Sequence, residues 1–337
     1  MTQLLAPASV AAAAKVPDLA VDVDSLVKRF GNLKAVAGVT FSVRSGEIFA
    51  FLGPNGAGKS TTINVLCTLA QPSGGRASVA GFDVATRPRA VRRRIGLVFQ
   101  EQTLDAQLTA DENLRFHAVL YRVLSGEVDR RIARVLELVN LSDRRRDLVS
   151  TFSGGMARRL EIARALLHTP KVLFLDEPTV GLDPQTRALI WEDILRLRHE
   201  DGVTVFLTTH YMDEAEYAER IAIIDHGEIV AMGAPDELKG VVGADTVELQ
   251  TADNAAALDA LTEAGQAVRA TLSGLIAFVE DGEAAVPGLI AAAGVPVRTV
   301  HVHRPTLDDV FMHFTGREIR DQAGEAPSAM TRAWRHR

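Results

Sequence analysis

Eight consecutive residues, Gly53-Pro54-Asn55-Gly56-Ala57-Gly58-Lys59-Ser60, have the types and spacing needed to hold phosphate. They satisfy the pattern G-x-x-x-x-G-K-[ST]. The glycines let the backbone approach phosphate oxygens where side chains would clash. Successive amides then turn inward, and the start of a following helix adds partial positive charge. Lys59 brings a full charge for the β- and γ-phosphates, and the Ser60 hydroxyl suits a Mg²⁺ ion. Thr61 opens the helical segment and extends the nucleotide-contacting run.

A second acidic element lies far downstream. Residues 172–177 read Val-Leu-Phe-Leu-Asp-Glu, an apolar strand ending in two carboxylates. A buried parallel strand delivers both to the sheet edge where the phosphates sit. Asp176 then belongs to the magnesium shell. Glu177, one residue on, points differently and can polarise an attacking water as a general base. The expected ligands are therefore a nucleoside triphosphate and Mg²⁺.

These groups need a scaffold, and the apolar patterning supplies one. Short apolar runs at 47–52, 95–99, 172–175, 203–207 and 221–224 alternate with helical patterns, the mark of a mainly parallel α/β sheet. A return hairpin is expected through His226-Gly227. Between the strand at 95–99 and Pro170 the spacing turns helical, with Val128, Ile132, Val135, Leu136 and Val139 on one face. The reading is an α/β P-loop domain over 21–240, with a helical subdomain inserted at about 101–168. Residues 245–316 follow the order β-α-β-β-α-β and suggest a small α+β domain. Residues 1–20, rich in alanine and proline, and 317–337 read as flexible tails.

Composition narrows the function classes. The 337 residues are 47% hydrophobic and 24% charged, as in an ordinary globular protein. A net charge of −6 does not favour a nucleic-acid partner. The triplets Arg92–Arg94 and Arg144–Arg146 read as solvated surface. The lone Cys67 excludes an internal disulfide framework and lies among apolar residues, so it reads as a small core residue. No run approaches the length needed to span a bilayer, and no secretory leader is evident. The expectation is a cytosolic protein that meets the membrane through a partner.

With the phosphate loop and acidic strand end in place, four further features complete a pattern that resembles the nucleotide-binding subunits of ABC transporters. Gln100, after a strand, resembles the Q-loop glutamine. Phe152-Ser153-Gly154-Gly155-Met156 resembles the ABC signature, and Gly181-Leu182-Asp183-Pro184 the D-loop. His210 resembles the switch histidine. The match covers about 25–235. It implies a head-to-tail dimer in which each ATP is gripped by Lys59 of one subunit and by Ser153, Gly154 and Gly155 of the other. It also implies that Gln100 senses the magnesium and the attacking water, that His210 contacts the γ-phosphate, that Asp183 lies at the nucleotide interface, and that Phe30 stacks on adenine. Ser153 is in addition a good N-cap for a helix over 154–168. Two positions depart from the commonest signature, Phe152 for leucine and Met156 for glutamine.

The C-terminal run Pro305-Thr306-Leu307-Asp308-Asp309-Val310-Phe311, followed by Thr315-Gly316-Arg317, resembles exporter ATPases of the daunorubicin-resistance type. That narrower resemblance implies efflux of drug-like or lipophilic cargo through a separate permease of about six membrane-spanning helices. The ATPase would then sit on the cytoplasmic face of the cell membrane. An importer ATPase, or a soluble ABC-type ATPase without transport, shares the same motifs. Leu307, Val310, Phe311 and Phe314 are spaced as one apolar helix face. His301 and His303 read as strand residues on a common face rather than metal ligands.

Overall fold

The computed structural model describes residues 18–271 and 273–316. Most of the tail expected over 1–20, and all of that over 317–337, lie outside the described residues. The chain opens with strands β1 (Leu19–Phe30) and β2 (Leu33–Arg44), followed by β3 (Ile48–Leu52) and helix α1 (Lys59–Leu66). Next come β4 (Gly74–Val79), β5 (Phe82–Asp83), α2 (Pro88–Arg92) and β6 (Ile95–Val98). A helical stretch follows, with α3 (Ala110–Leu120), α4 (Val128–Leu138) and α5 (Gly154–Leu166). The chain then alternates through β7 (Val172–Asp176), α6 (Pro184–Asp201), β8 (Thr204–Thr209) and α7 (Met212–Ala215) to the hairpin β9 (Arg220–Asp225) and β10 (Glu228–Gly233).

The central sheet has the order β10-β9-β3-β8-β7-β6. All its pairings are parallel except the β9–β10 hairpin. That hairpin turns on His226 and Gly227, both at positive φ, as a two-residue turn matched to strand twist requires. β3, β7 and β8 are buried along their whole length, so they read as unbroken apolar runs.

A second sheet, β2-β1-β4-β5, is antiparallel and had no counterpart in the reading of the sequence. It packs on the central sheet through Phe41, Phe49, Phe51 and Phe206, whose ring centroids lie 5.4–5.9 Å apart. Offset ring pairs of this kind add about 0.5–1.5 kcal/mol each beyond their buried area. Cys67 is buried in this same core, and burial pushes its thiol well up, which removes its reactivity.

On the other face of the central sheet, Ile132, Val135, Leu136 and Val139 pack with Leu160, Ile162 and Leu166 of α5. Helix α8 (Pro235–Val242) leads into a third sheet. That part contains β11 (Asp245–Thr251), α9 (Asn254–Glu263), β12 (Val268–Ala270), β13 (Leu275–Val279), α10 (Gly282–Ala292) and β14 (Val297–His303), with strand order β12-β13-β11-β14. It has its own core around Val247, Leu249, Leu261, Leu275 and Leu289. His301 and His303 are exposed on β14. The last helix, α11 (Leu307–Thr315), packs against α8 and buries Leu307, Val310 and Phe311 in the main core. Among the described residues no helix is long and apolar enough to cross a membrane.

Candidate active site

β3 ends at Leu52 and the chain passes straight into the glycine-rich loop. Gly53 cannot carry a side chain, since a Cβ there would sit 2.3 Å from the Ile224 carbonyl oxygen. Gly58 adopts φ +109°, and its Cβ would lie 2.5 Å from the Ala35 carbonyl oxygen. The loop is thus clamped between β9 and β2, and its tightness explains why small residues occupy it. α1 starts at Lys59 with no side-chain cap, so its first amides are left for a ligand rather than for the protein.

Lys59 is 4% exposed. Its Nζ donates to the carbonyls of Gly53 (2.8 Å) and Pro54 (3.1 Å) and pairs with Glu177 Oε1 at 3.0 Å. Ser60 Oγ donates to Asp176 Oδ1 at 3.1 Å, and Thr208 Oγ1 donates to the same oxygen at 2.6 Å. Gln100 Nε2 donates to Glu177 Oε2 at 3.2 Å, and His210 Nδ1 lies 3.4 Å from Glu177 Oε1. Lys59, Ser60, Gln100, Asp176, Glu177 and His210, which are dispersed along the chain, therefore meet in one contact cluster at the C-terminal edge of the parallel strands.

The two carboxylates differ in character. Burial raises Asp176 above the usual carboxylate range, against the lowering effect of hydrogen bonds from Thr208 and Ser60. A desolvated carboxylate next to a serine hydroxyl suits a divalent cation, which would restore its charge. Burial also acts to raise Glu177, but His210 and Lys59 outweigh it and hold the group at about 2. Glu177 is thus ionised at neutral pH, as a proton acceptor must be. Its backbone is left-handed (φ 46°) and is fixed by N–H donation to Thr208 Oγ1 at 3.0 Å. A non-glycine residue held there is strained, a condition that concentrates at functional sites. Thr208 thus holds both carboxylate residues, and only the pairing of β8 with β7, which sets it opposite Asp176, brings it there.

A second cluster forms at the start of α5. Ser153 caps that helix, accepting from Met156 N–H at 3.2 Å. Gly155 packs so closely on α6 that a Cβ would lie 2.2 Å from Thr186 Cγ2, and Gly154 faces Leu182. Asp183 caps α6, and hydrogen bonds from Thr186 hold its carboxyl below the usual range. Ser153, Gly154, Gly155 and Asp183 are thereby brought together as one surface. Phe152 and Met156, the departures from the commonest signature, pack partly buried against the main core. Phe30 stands at the β1–β2 turn, partly exposed, with Lys28 Nζ 4.8 Å above its ring. Gln100, read from the sequence as a magnesium contact, meets Glu177 here rather than Asp176.

Residues 36–180 match the ABC transporter family. The chain is 41% identical over 310 residues to the daunorubicin resistance ATP-binding protein DrrA3 of Streptomyces coeruleorubidus, covering 90% of this chain and 98% of that one. It is 39% identical over 308 residues to the linearmycin resistance ATP-binding protein LnrL of Bacillus subtilis, covering 88% and 99%. It is also 39% identical over 304 residues to the Nod factor export ATP-binding protein I of Burkholderia orbicola, covering 89% and 98%. Among solved structures, the cassette MJ0796 in a dimeric post-hydrolysis state with ADP and Pi superposes with a TM-score of 0.58 at 29% identity, over 64% of this chain and 98% of that one. CbiO1 of Clostridium perfringens, part of the ABC transporter complex cbiONQ, gives 0.62 at 28%, over 67% and 93%. Fold, phosphate loop, acidic strand end and full-length relatives agree: the chain belongs to the ABC transporter family, as an ATP-binding protein that hydrolyses ATP on a P-loop α/β fold.

Proposed function

We propose that this chain is the ATPase of an exporter, powering efflux of drug-like or lipophilic cargo through a separate membrane permease. The observation that carries the chemistry is the convergence of Lys59, Gln100 and His210 on Glu177, 3.0–3.4 Å away, beside the Ser60–Asp176 pair. The loop from Gly53 to Thr61 holds the phosphates, with Lys59 exchanging its pairing with Glu177 for the β- and γ-phosphates. Ser60 and Asp176, with Gln100, hold Mg²⁺, which supplies charge neutralisation on the phosphates when bound. Released from Lys59, the ionised Glu177 accepts a proton from the attacking water, and His210 steadies the γ-phosphate. Phe30 stacks on adenine. Ser153, Gly154, Gly155 and Asp183 close the site of a second copy, so the working unit is a dimer.

Export follows the printed roles of the relatives, two resistance proteins and one Nod factor export protein, matched over nearly their whole lengths. A permease docking face is available. Phe116, Val119, Leu120 and Leu124 are 59–75% exposed, beside a cleft of about 310 Å³ lined by Leu69, Leu97, Phe99, His117 and Tyr121. Contiguous exposed apolar surface marks an interaction site. On this reading the nucleotide-binding unit spans 21–240, the C-terminal unit spans 245–316, and the protein sits peripherally on the cytoplasmic face of the membrane.

The test combines two variants. Glu177→Gln is expected to trap an ATP-bound dimer on size exclusion, and Lys59→Ala to lose nucleotide binding. Undiminished turnover in both would overturn the mechanism. Purification from gently solubilised membranes is expected to bring down a second chain of about six apolar helices. Recovery with ribosomes or DNA instead would overturn the transport role.

A further inference from the structure

α5 carries more than the signature turn. One turn beyond Ser153, Arg158 is 5% exposed and Glu161 fully buried. A guanidinium has five N–H donors in a fixed fork, and in Arg158 every one is used. Nε donates to the Pro178 carbonyl at 2.7 Å. Nη2 donates to the carbonyls of Gln100 and Glu177, each at 3.2 Å. Nη1 donates to the Phe99 carbonyl and pairs with Glu161 Oε2 at 3.1 Å. The other oxygen of Glu161 accepts from Thr103 N–H at 2.7 Å and Thr103 Oγ1 at 3.1 Å. Arg164 completes the array, donating to the Thr103 carbonyl at 3.1 Å and to Thr103 Oγ1 at 2.6 Å.

Four of the five acceptors of Arg158 are backbone carbonyls, two on each of two loops. One loop carries Gln100 and the other Glu177. Neither loop has regular structure at these residues, and although Thr208 on β8 holds the Glu177 N–H, no backbone hydrogen bond among the described residues joins the two loops to each other. A planar five-donor group is the one side chain able to satisfy such a set at once, whereas an ammonium has three donors on a single atom. Buried ion pairs are weak evidence of net stabilisation, so the presence of this one calls for another reason.

We infer that Arg158, held in place by Glu161, is a positioning residue for ATP hydrolysis: it sets the spacing of the Gln100 and Glu177 backbones and ties both to the helix that begins at Ser153. The inference rests on the roles proposed above for Gln100 and Glu177. Every Arg158 donor is taken up by a protein acceptor, so it acts through those two residues. Misplacement of a catalytic group by about 1 Å is worth roughly a hundredfold in rate.

The purified full-length protein tests this with Arg158→Lys and Arg158→Met, beside Glu177→Gln as control. Arg158→Lys keeps a charge opposite Glu161 and so protects folding. It forfeits at least two of the carbonyl contacts. Its kcat is expected to fall about ten- to a hundredfold, while KM for ATP and affinity for a fluorescent ATP analogue stay within about twofold. A merely structural role would instead lower turnover in proportion to the nucleotide-binding fraction, leaving kcat per competent site unchanged. That outcome in Arg158→Lys overturns the inference, whether or not Arg158→Met folds. Full turnover in Glu177→Gln would strike the underlying reading of the site, whereas a dead Glu177→Gln beside an unimpaired Arg158→Lys would strike this inference alone.

Discussion

Replacing Glu177 by glutamine removes a charge while keeping the shape of the side chain, and its effect on the nucleotide-free protein can be worked out. Glu177 is held at about 2 against an ordinary 4.5. At about 1.36 kcal/mol per pH unit, that interval favours the charged form by about 3 kcal/mol. The sign follows from linkage. A carboxyl depressed in the folded state contributes stability that is complete above 4.5 and is lost as pH falls through about 2. At pH 7 the nucleotide-free Glu177→Gln protein is therefore expected to be less stable by up to about 3 kcal/mol, a fall in Tm of about 5–10 °C. The same variant leaves buried Lys59 without its anionic partner, which a nucleotide phosphate can replace. Each 1.4 kcal/mol so recovered is about tenfold in affinity, so ADP is expected to bind ten- to a hundredfold more tightly than to wild type. Thermal melts with and without ADP, followed by calorimetric titration, give both quantities. A nucleotide-free variant that melts with wild type and binds ADP equally would refute the idea that Glu177 and nucleotide compete for Lys59.

Three further outcomes are expected. Asp193 is 2% exposed, and burial raises its carboxyl to about 6 against the pull of Arg159 and Arg196, while among the described residues its Oδ2 has no hydrogen-bond partner. A carboxyl raised in the folded state costs stability as pH climbs from 3.8 through about 6. Asp193→Asn should therefore gain up to about 3 kcal/mol at pH 8 and about half that at pH 5 in urea melts. Gly58→Ala combines a positive φ with a 2.5 Å contact on the Ala35 carbonyl, so it should lose at least about 2 kcal/mol and weaken ATP binding. Ser153→Ala removes the cap of α5, and a loss of about 1 kcal/mol in thermal melts is expected together with reduced turnover.

The residues of the candidate site were legible in the sequence because their motifs are local. The glycine loop, its lysine and the acidic strand end are each contiguous, and the flanking apolar runs say which elements carry them. β3, β7 and β8 could be read as buried strands since both their faces are covered. The sheet β2-β1-β4-β5 could not, for β1 and β2 mix exposed and buried positions and carry several register shifts that break a period of two. Arg158 was invisible for another reason. Its partners are mostly main-chain carbonyls on loops remote in sequence, and a carbonyl looks the same whatever residue bears it. Thr208 was missed similarly, as an unremarked residue on a strand whose hydroxyl reaches Asp176 only once β7 and β8 pair.

The seating of α11 against α8 has a mechanical consequence. The segment 245–303 leaves the nucleotide-binding part next to the place where the chain returns to it, and the returning helix buries Leu307, Val310 and Phe311 there. A module anchored both where it leaves and where it returns cannot drift away as it would on a single leash. The α8–α11 contact that closes this return lies against β10. A single protease nick among 245–303 would accordingly leave both halves travelling together, because the later piece keeps its own anchor.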